Sequence, residues 1–238
     1  MASIQDVVVA VASYGSDRPG SAQVVDVLGT GFFVDESGLL LTSRSVVATP
    51  LAPGARLGLV VRMAQSPSQA SLIPLTTFET ADAPLDLAIA RVPVELRPAF
   101  ALARVEAAPL LWERIASYGC VAVEQPRSDR PLVPVHHALT GNVLREVIGH
   151  ADQAPALLEL SFRVPSRLRG APLFAYERSR SRLYGVCIGN RSLAVDGYPG
   201  ASETALDTCG VAVDLRALGS WRPRLLGGRS LREVFPES

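Results

Sequence analysis

Apolar positions in this chain fall in short runs broken by Gly, Pro, Asp and Ser, and almost none keeps a helical period. Val7 to Ala12, Val24 to Leu28, Gly31 to Val34, Leu39 to Thr42, Leu57 to Met63 and Ala88 to Val92 read as strands. A second set follows: Ile115 to Val123, Gly141 to Val147, Leu157 to Phe162, Leu173 to Tyr176, Leu183 to Ile188 and Gly210 to Val213. The sharpest pattern is a hairpin. Phe32-Phe33-Val34 leads into Asp35-Glu36-Ser37-Gly38, and Leu39-Leu40-Leu41 leads out. Four polar residues, Thr42 to Ser45, then stand before Val46-Val47. One helical segment is expected late, at Asp214 to Trp221. Closely spaced strands without intervening helices predict an all-β sandwich or barrel, not βαβ units.

The strands form two groups on either side of a Pro-containing segment, Pro93 to Pro109. The expected organisation is an N-terminal barrel over residues 1–100 with its connector running to about 109, a C-terminal barrel with helix over 110–221, and an extended tail over 222–238. That tail is available to dock on the domain or on a partner. With 238 residues and 48% hydrophobic side chains, the chain has enough apolar surface for real cores. No apolar run reaches the roughly 18 residues of a membrane span. The start has no basic n-region and no cleavage site of a secretory signal, so a cytoplasmic location is expected.

Charge narrows the partners. The 23 basic and 23 acidic side chains cancel, which gives no bulk attraction to nucleic acid or anionic membrane. Every one of those 23 basic residues is Arg, so no lysine amine is present for Schiff-base chemistry. Cys120, Cys187 and Cys209 each lie in or beside an apolar run and are expected to be buried free thiols. Neither they nor His136, His137 and His150 have zinc-ligand spacing, so no metal and no cofactor are expected.

Five stretches, in collinear order over nearly the whole chain, resemble the trypsin-like (chymotrypsin-fold) serine peptidases of the bacterial HtrA/Deg type. GTGFFVDESGLLLTSRSVV resembles the strand, turn and strand that lead to that family's catalytic histidine. DLAIARV, Asp86 to Val92, resembles its catalytic-aspartate strand. TGNVLREV, Thr140 to Val147, is similar to the segment that opens the second barrel's hairpin. RLRGAPLF, Arg167 to Phe174, sits where the family carries Gly-x-Ser-Gly-Gly-Pro-Leu-Phe. LYGVCIG and CGVAVDLRAL resemble the last strands and the entry to the final helix. The resemblance implies two packed antiparallel six-stranded β-barrels with a C-terminal helix and a cleft between the barrels.

Carried over residue by residue, the resemblance is incomplete. The chemistry needs a serine nucleophile, a histidine base, an aspartate that orients it, and backbone N–H groups for the oxyanion. Only the aspartate slot keeps its residue, Asp86. The histidine slot holds Ser45 and the nucleophile slot Arg169. Around the latter, Arg167 replaces the first glycine, Gly170 remains, and Ala171 replaces the glycine before Pro172. None of the three histidines aligns beside Asp86; they are expected to be solvated loop or strand residues. Ser166 lies off the nucleophile turn. Loss of the serine or the histidine alone costs a triad enzyme roughly six orders of magnitude in turnover. The expectation is a catalytically inactive pseudopeptidase that serves as a protein-binding scaffold or regulatory subunit. The alternatives are a divergent peptidase with relocated catalytic groups and an Arg-rich nucleic-acid-binding adaptor.

Two readings of Arg169 stand open. Its guanidinium fills the space of the missing imidazole and pairs with Asp86, or it points to solvent while Asp86 is satisfied by backbone N–H groups. Arg163, with Arg178, Arg180 and Arg182 at an expected hairpin tip, forms either a binding patch for an acidic peptide or nucleic acid, or a solvated turn. The loop Asn190 to Thr208 carries Asp196, Glu203 and Asp207; in the family this region helps wall the specificity pocket. A PDZ domain, common at the C-terminus of HtrA/Deg enzymes, is not expected. A protein partner is.

Overall fold

The computed structural model describes residues 4–16, 22–35, 37–63, 66–92, 109, 111–124, 132–147, 156–175, 183–194, 206–216 and 221–234. The N-terminal strands are β1 (Val8–Ser16), β2 (Ala22–Phe33), β3 (Leu39–Thr42), β4 (Arg56–Met63), β5 (Ser66–Pro74), β6 (Phe78–Thr80) and β7 (Ala88–Arg91). They pair antiparallel in the order β5-β4-β1-β2-β3-β7-β6. The C-terminal strands are β8 (Arg114–Glu124), β9 (Val133–Val147), β10 (Leu157–Leu160), β11 (Pro172–Ala175), β12 (Leu183–Ala194) and β13 (Leu206–Asp214). They close on themselves as β10-β13-β12-β11-β8-β9. The chain is therefore all-β, with the two-barrel architecture of the chymotrypsin type.

The first unit departs from the expected six-stranded barrel. It is a seven-stranded sheet whose edges, β5 and β6, do not pair with each other. The flank of β6 is taken instead by the segment near the C-terminus. Both Glu79 carboxylate oxygens accept backbone N–H groups there, from Arg224 at 2.7 Å and from Leu225 at 2.7 Å. This corrects the expectation of an extended tail. Arg224–Leu226 is a single 3₁₀ turn and Leu231–Val234 a single helical turn. Ser230 and Glu233 cap the latter reciprocally: the Ser230 N–H donates to Glu233 Oε2 at 2.6 Å, and the Glu233 N–H to Ser230 Oγ at 3.2 Å. Leu226 and Leu231 are buried in the first core. Asp214, expected to begin a helix running to Trp221, belongs to a strand instead. β13 runs through Asp214, which pairs with Gly185, and 217–220 lie outside the described residues. So does most of the connector, 93–108.

Sequence pattern explains most of the rest. Leu39, Leu40 and Leu41 are all fully buried, because β3 lies inside the sheet with both faces covered. The two runs Val24 to Leu28 and Gly31 to Val34 turn out to be one strand, β2. Gly29, between those two runs, sits at a close approach. A Cβ there would collide with Val46 and stand 2.8 Å from the Arg169 carbonyl. β5, with Pro67, and β6 escaped the pattern because edge strands are freed from strict alternation. A second core fills the closed barrel around Ile115, Leu158, Leu160 and Leu173. A smaller cluster joins the units, with Cys120 of β8 against Ala10, Val27 and Val60 of the first sheet.

Candidate functional site

β3 ends at Thr42, and one helical turn, Arg44–Val47, follows. Val46 and Val47 bury against the first core, which leaves Ser45 facing the start of β7. Thr42 pairs with Ala88, so Asp86, two residues before Ala88, meets that turn. The Ser45 N–H donates to Asp86 Oδ1 at 2.7 Å. The Ser43 hydroxyl donates to Oδ2 at 2.7 Å and the Ser45 hydroxyl to the same oxygen at 3.0 Å. The two hydroxyls lie 2.6 Å apart. Thr49 Oγ1 closes the turn by donating to the Ser45 carbonyl at 2.8 Å. Ser43, fully buried, was missed from sequence; four polar residues in a row gave no sign of which would turn inward.

The other slot is built by the second barrel. Ser166–Leu168 is a 3₁₀ turn in which the Leu168 N–H donates to the Pro165 carbonyl at 2.9 Å. The Arg169 N–H donates to the Ser166 carbonyl at 3.2 Å. In a trypsin-like peptidase the N–H at that position helps hold the oxyanion; here it is committed within its own turn. Gly170 follows with φ +84°, and its N–H donates to the Cys187 carbonyl at 2.7 Å. A Cβ on Gly170 would collide with the Thr30 carbonyl, so only glycine fits this crossing between the barrels. Ala171 and Leu168 are fully buried in the second core. The Arg169 carbonyl accepts from the Thr30 N–H at 2.8 Å, and the Arg167 carbonyl from Thr30 Oγ1 at 3.0 Å. Thr30 on β2 thereby ties the turn to the first sheet.

The pairing of Arg169 with Asp86 is not formed. Asp86 is taken up by the two serines, and among the described residues the Arg169 guanidinium makes no hydrogen bond or ion pair. Arg169 is exposed, and its side chain lies along the β12 backbone at Gly189, where a Cβ would stand 3.4 Å from Nε. It turns away because the serine hydroxyls and the Ser45 N–H already supply Asp86 with short bonds. Beside it, Asn190 clasps the segment before the 3₁₀ turn. Its Oδ1 accepts from the Val164 N–H at 2.7 Å, and its Nδ2 donates to the Val164 carbonyl at 2.8 Å. The expected loop from Asn190 is in part a hairpin, with Asn190 to Ala194 pairing with Gly210 to Leu206.

Arg167 is spread over the surface, with NH1 on the Val121 carbonyl and NH2 on Asp26, each at 3.1 Å. Arg163 is exposed. Arg178, Arg180, Arg182 and His150 lie outside the described residues. His136 and His137 stand on β9 opposite Cys120 and Gly119, away from Asp86. His136 is not a solvated side chain as expected but stacks on Tyr118, ring centroids 5.0 Å apart. The three cysteines are free and buried. Burial pushes the Cys187 thiol up to about 12, with a hydrogen bond to Ser117 acting weakly the other way. Among the described residues no three His, Cys, Asp or Glu side chains converge as metal ligands, and no helix is long and apolar enough to cross a membrane.

A seven-stranded sheet and a closed six-stranded barrel that meet at Thr30 and Gly170 define the trypsin-like (chymotrypsin-type) fold. Solved structures agree with that assignment. The chain is similar to the MamO protease domain from Magnetospirillum magneticum (apo form), with TM-score 0.57 and 16% identity over 91% of this chain and 96% of that one. It is also similar to the HtrA-type protease AlgW, solved as a serine-to-alanine variant with a decapeptide, with TM-score 0.53 and 15% identity over 89% of this chain and 60% of that one. No family model and no curated protein matches the sequence.

Proposed function

We propose that this chain is a trypsin-like pseudopeptidase, catalytically inactive, that acts as a protein-binding scaffold or regulatory subunit of an assembly. One observation carries the reading: the Asp86 carboxylate is occupied by Ser43 and Ser45, and among the described residues no imidazole bonds to it. A serine hydroxyl does not take up a proton near neutral pH, so nothing there acts as a general base. The committed Arg169 N–H removes one oxyanion donor in addition.

A fluorophosphonate probe with a casein digest tests this. The expected outcome is no labelling and no cleavage. The double substitution Ser45→His with Arg169→Ser is likewise expected to give no hydrolysis above background, because the N–H at 169 remains bound to Ser166. Labelling at one serine, abolished by its alanine variant, supports the divergent-peptidase reading instead.

A further inference from the structure

Away from Ser45, Asp86 and Arg169, the start of the second barrel carries an exposed apolar turn. On the described surface the largest exposed hydrophobic residue is Trp112, 71% accessible, next to Leu111 at 59%. Trp112 is also the only described non-glycine residue with positive φ, at 68°. A bulky side chain in that region is strained, and such strain persists only where the surroundings hold it. They do so here. The Trp112 N–H donates to the Val143 carbonyl at 2.9 Å, and the Asn142 side-chain amide donates to the Trp112 carbonyl at 2.8 Å. Asn142 is itself pinned: its backbone N–H donates to Ser161 Oγ at 2.9 Å and its carbonyl accepts from the Ser161 N–H at 3.0 Å. A rigid barrel thus presents an indole to solvent at a conformational cost that glycine would not incur.

The outer face beside this turn is basic. Arg114 pairs with Asn142 across β8 and β9, and is exposed. Further along β9, Arg145 binds Glu159 on β10 through Nε at 2.9 Å and NH2 at 2.7 Å, while its side chain stays 57% accessible. Arg191 of β12 reaches the same carboxylate at 3.6 Å and is 52% accessible, whereas Glu159 is 3% accessible. Two guanidinium groups therefore face solvent above one buried acid. Arg163, exposed, lies two residues past Ser161. Among the described residues, Glu113 accepts from the Tyr184 hydroxyl and Glu146 is paired with Arg216.

We infer that the Leu111–Trp112 turn and the arginine face beside it form a docking surface for an acidic protein segment that carries an apolar side chain. The indole supplies the anchor, as buried tryptophans do at interfaces, and the arginines supply complementary charge. This rests on the scaffold reading and deepens it by placing the partner site outside the cleft.

The test uses the full chain and a fluorescein-labelled peptide that alternates glutamate with leucine and phenylalanine, followed by anisotropy at low and high salt. Wild type is expected to bind, more weakly at high salt. Trp112→Gly is expected to weaken binding at least about tenfold while melting no lower than wild type, since it relieves the positive φ. Arg114→Glu is expected to weaken binding as well, and Arg169→Ala to leave it unchanged. The inference is overturned if wild type does not bind the peptide, if Trp112→Gly binds as wild type does, or if Arg169→Ala alone abolishes binding, which would put the peptide in the cleft. Preference for a single-stranded oligonucleotide over the peptide, or concentration-dependent dimerisation lost in Trp112→Gly, also overturns it by naming a different occupant. Cleavage of the peptide would sink the scaffold reading itself, an outcome distinct from any of these.

Discussion

Asp86 is half-buried, and it is met by what the neighbouring turn offers. Ser45 provides both its N–H and its hydroxyl, and Ser43 a second hydroxyl, so the charge is met by short polar bonds rather than by an arginine. The Arg169 side chain is free to lie elsewhere because that position was already filled. Cys187 illustrates the opposite case, a titratable group with little around it but apolar atoms. Its thiol is raised to about 12 in the folded chain, against about 8.5 when unfolded. A raised acid favours the folded state fully below the unfolded value and loses that contribution as pH rises towards the folded one. Stability is therefore expected to fall between about pH 8.5 and 12. Urea titrations over that range, compared with Cys187→Ala, check it: the variant should show a shallower fall, and an equal fall would mean that other groups account for it.

At the scale of elements, the most informative piece is the segment after Trp221. In sequence it reads as an Arg- and Gly-rich tail, because its two turns are too short to show a period. What gives it structure is contact. Glu79 on β6 accepts the first N–H groups of Arg224–Leu226, and Leu226 and Leu231 enter the first core. Glu79→Ala is expected to cost about 1 kcal/mol, as loss of a cap does. Leu231→Ala is expected to cost about 2 kcal/mol or more through cavity formation. Both losses should appear as lower thermal midpoints of the intact chain. An unchanged midpoint for Leu231→Ala would mean that the segment is not part of the cooperative unit.

For the whole molecule, Thr30 couples the two units. Its N–H and hydroxyl reach the Arg169 and Arg167 carbonyls, and its Oγ1 also accepts from the Cys120 N–H at 3.1 Å. Thr30→Val keeps the shape and removes the hydroxyl, leaving the buried Cys120 N–H without that acceptor. The expected loss is about 1–3 kcal/mol. Calorimetry should also show the transition broadening as the sheet and the barrel uncouple, so a single sharp transition at the wild-type midpoint would contradict the role given to Thr30.

Much of this architecture is legible in the chain as written. The FFV…LLL hairpin, the DLAIA strand and the paired strands of the second barrel follow from local pattern, because a strand inside a sheet must bury both faces or alternate. The sequence also pointed to Ser45, Asp86 and Arg169 together, and the structure brings the Ser45 turn against Asp86 while Arg169 lies apart. Other features depended on contacts between distant residues. Edge strands β5 and β6 carry no strong pattern, Gly29 marks a close crossing within β2, and Ser43 turns inward only because Asp86, remote in sequence, arrives at the start of the neighbouring strand β7. Sequence alone determined the strand-rich composition of the fold, because alternating and fully apolar runs are local signals. Only the tertiary structure decided that serine hydroxyls satisfy Asp86 and that Arg169 lies on Gly189, because a hydrogen bond goes to whichever partner folding brings within about 3 Å.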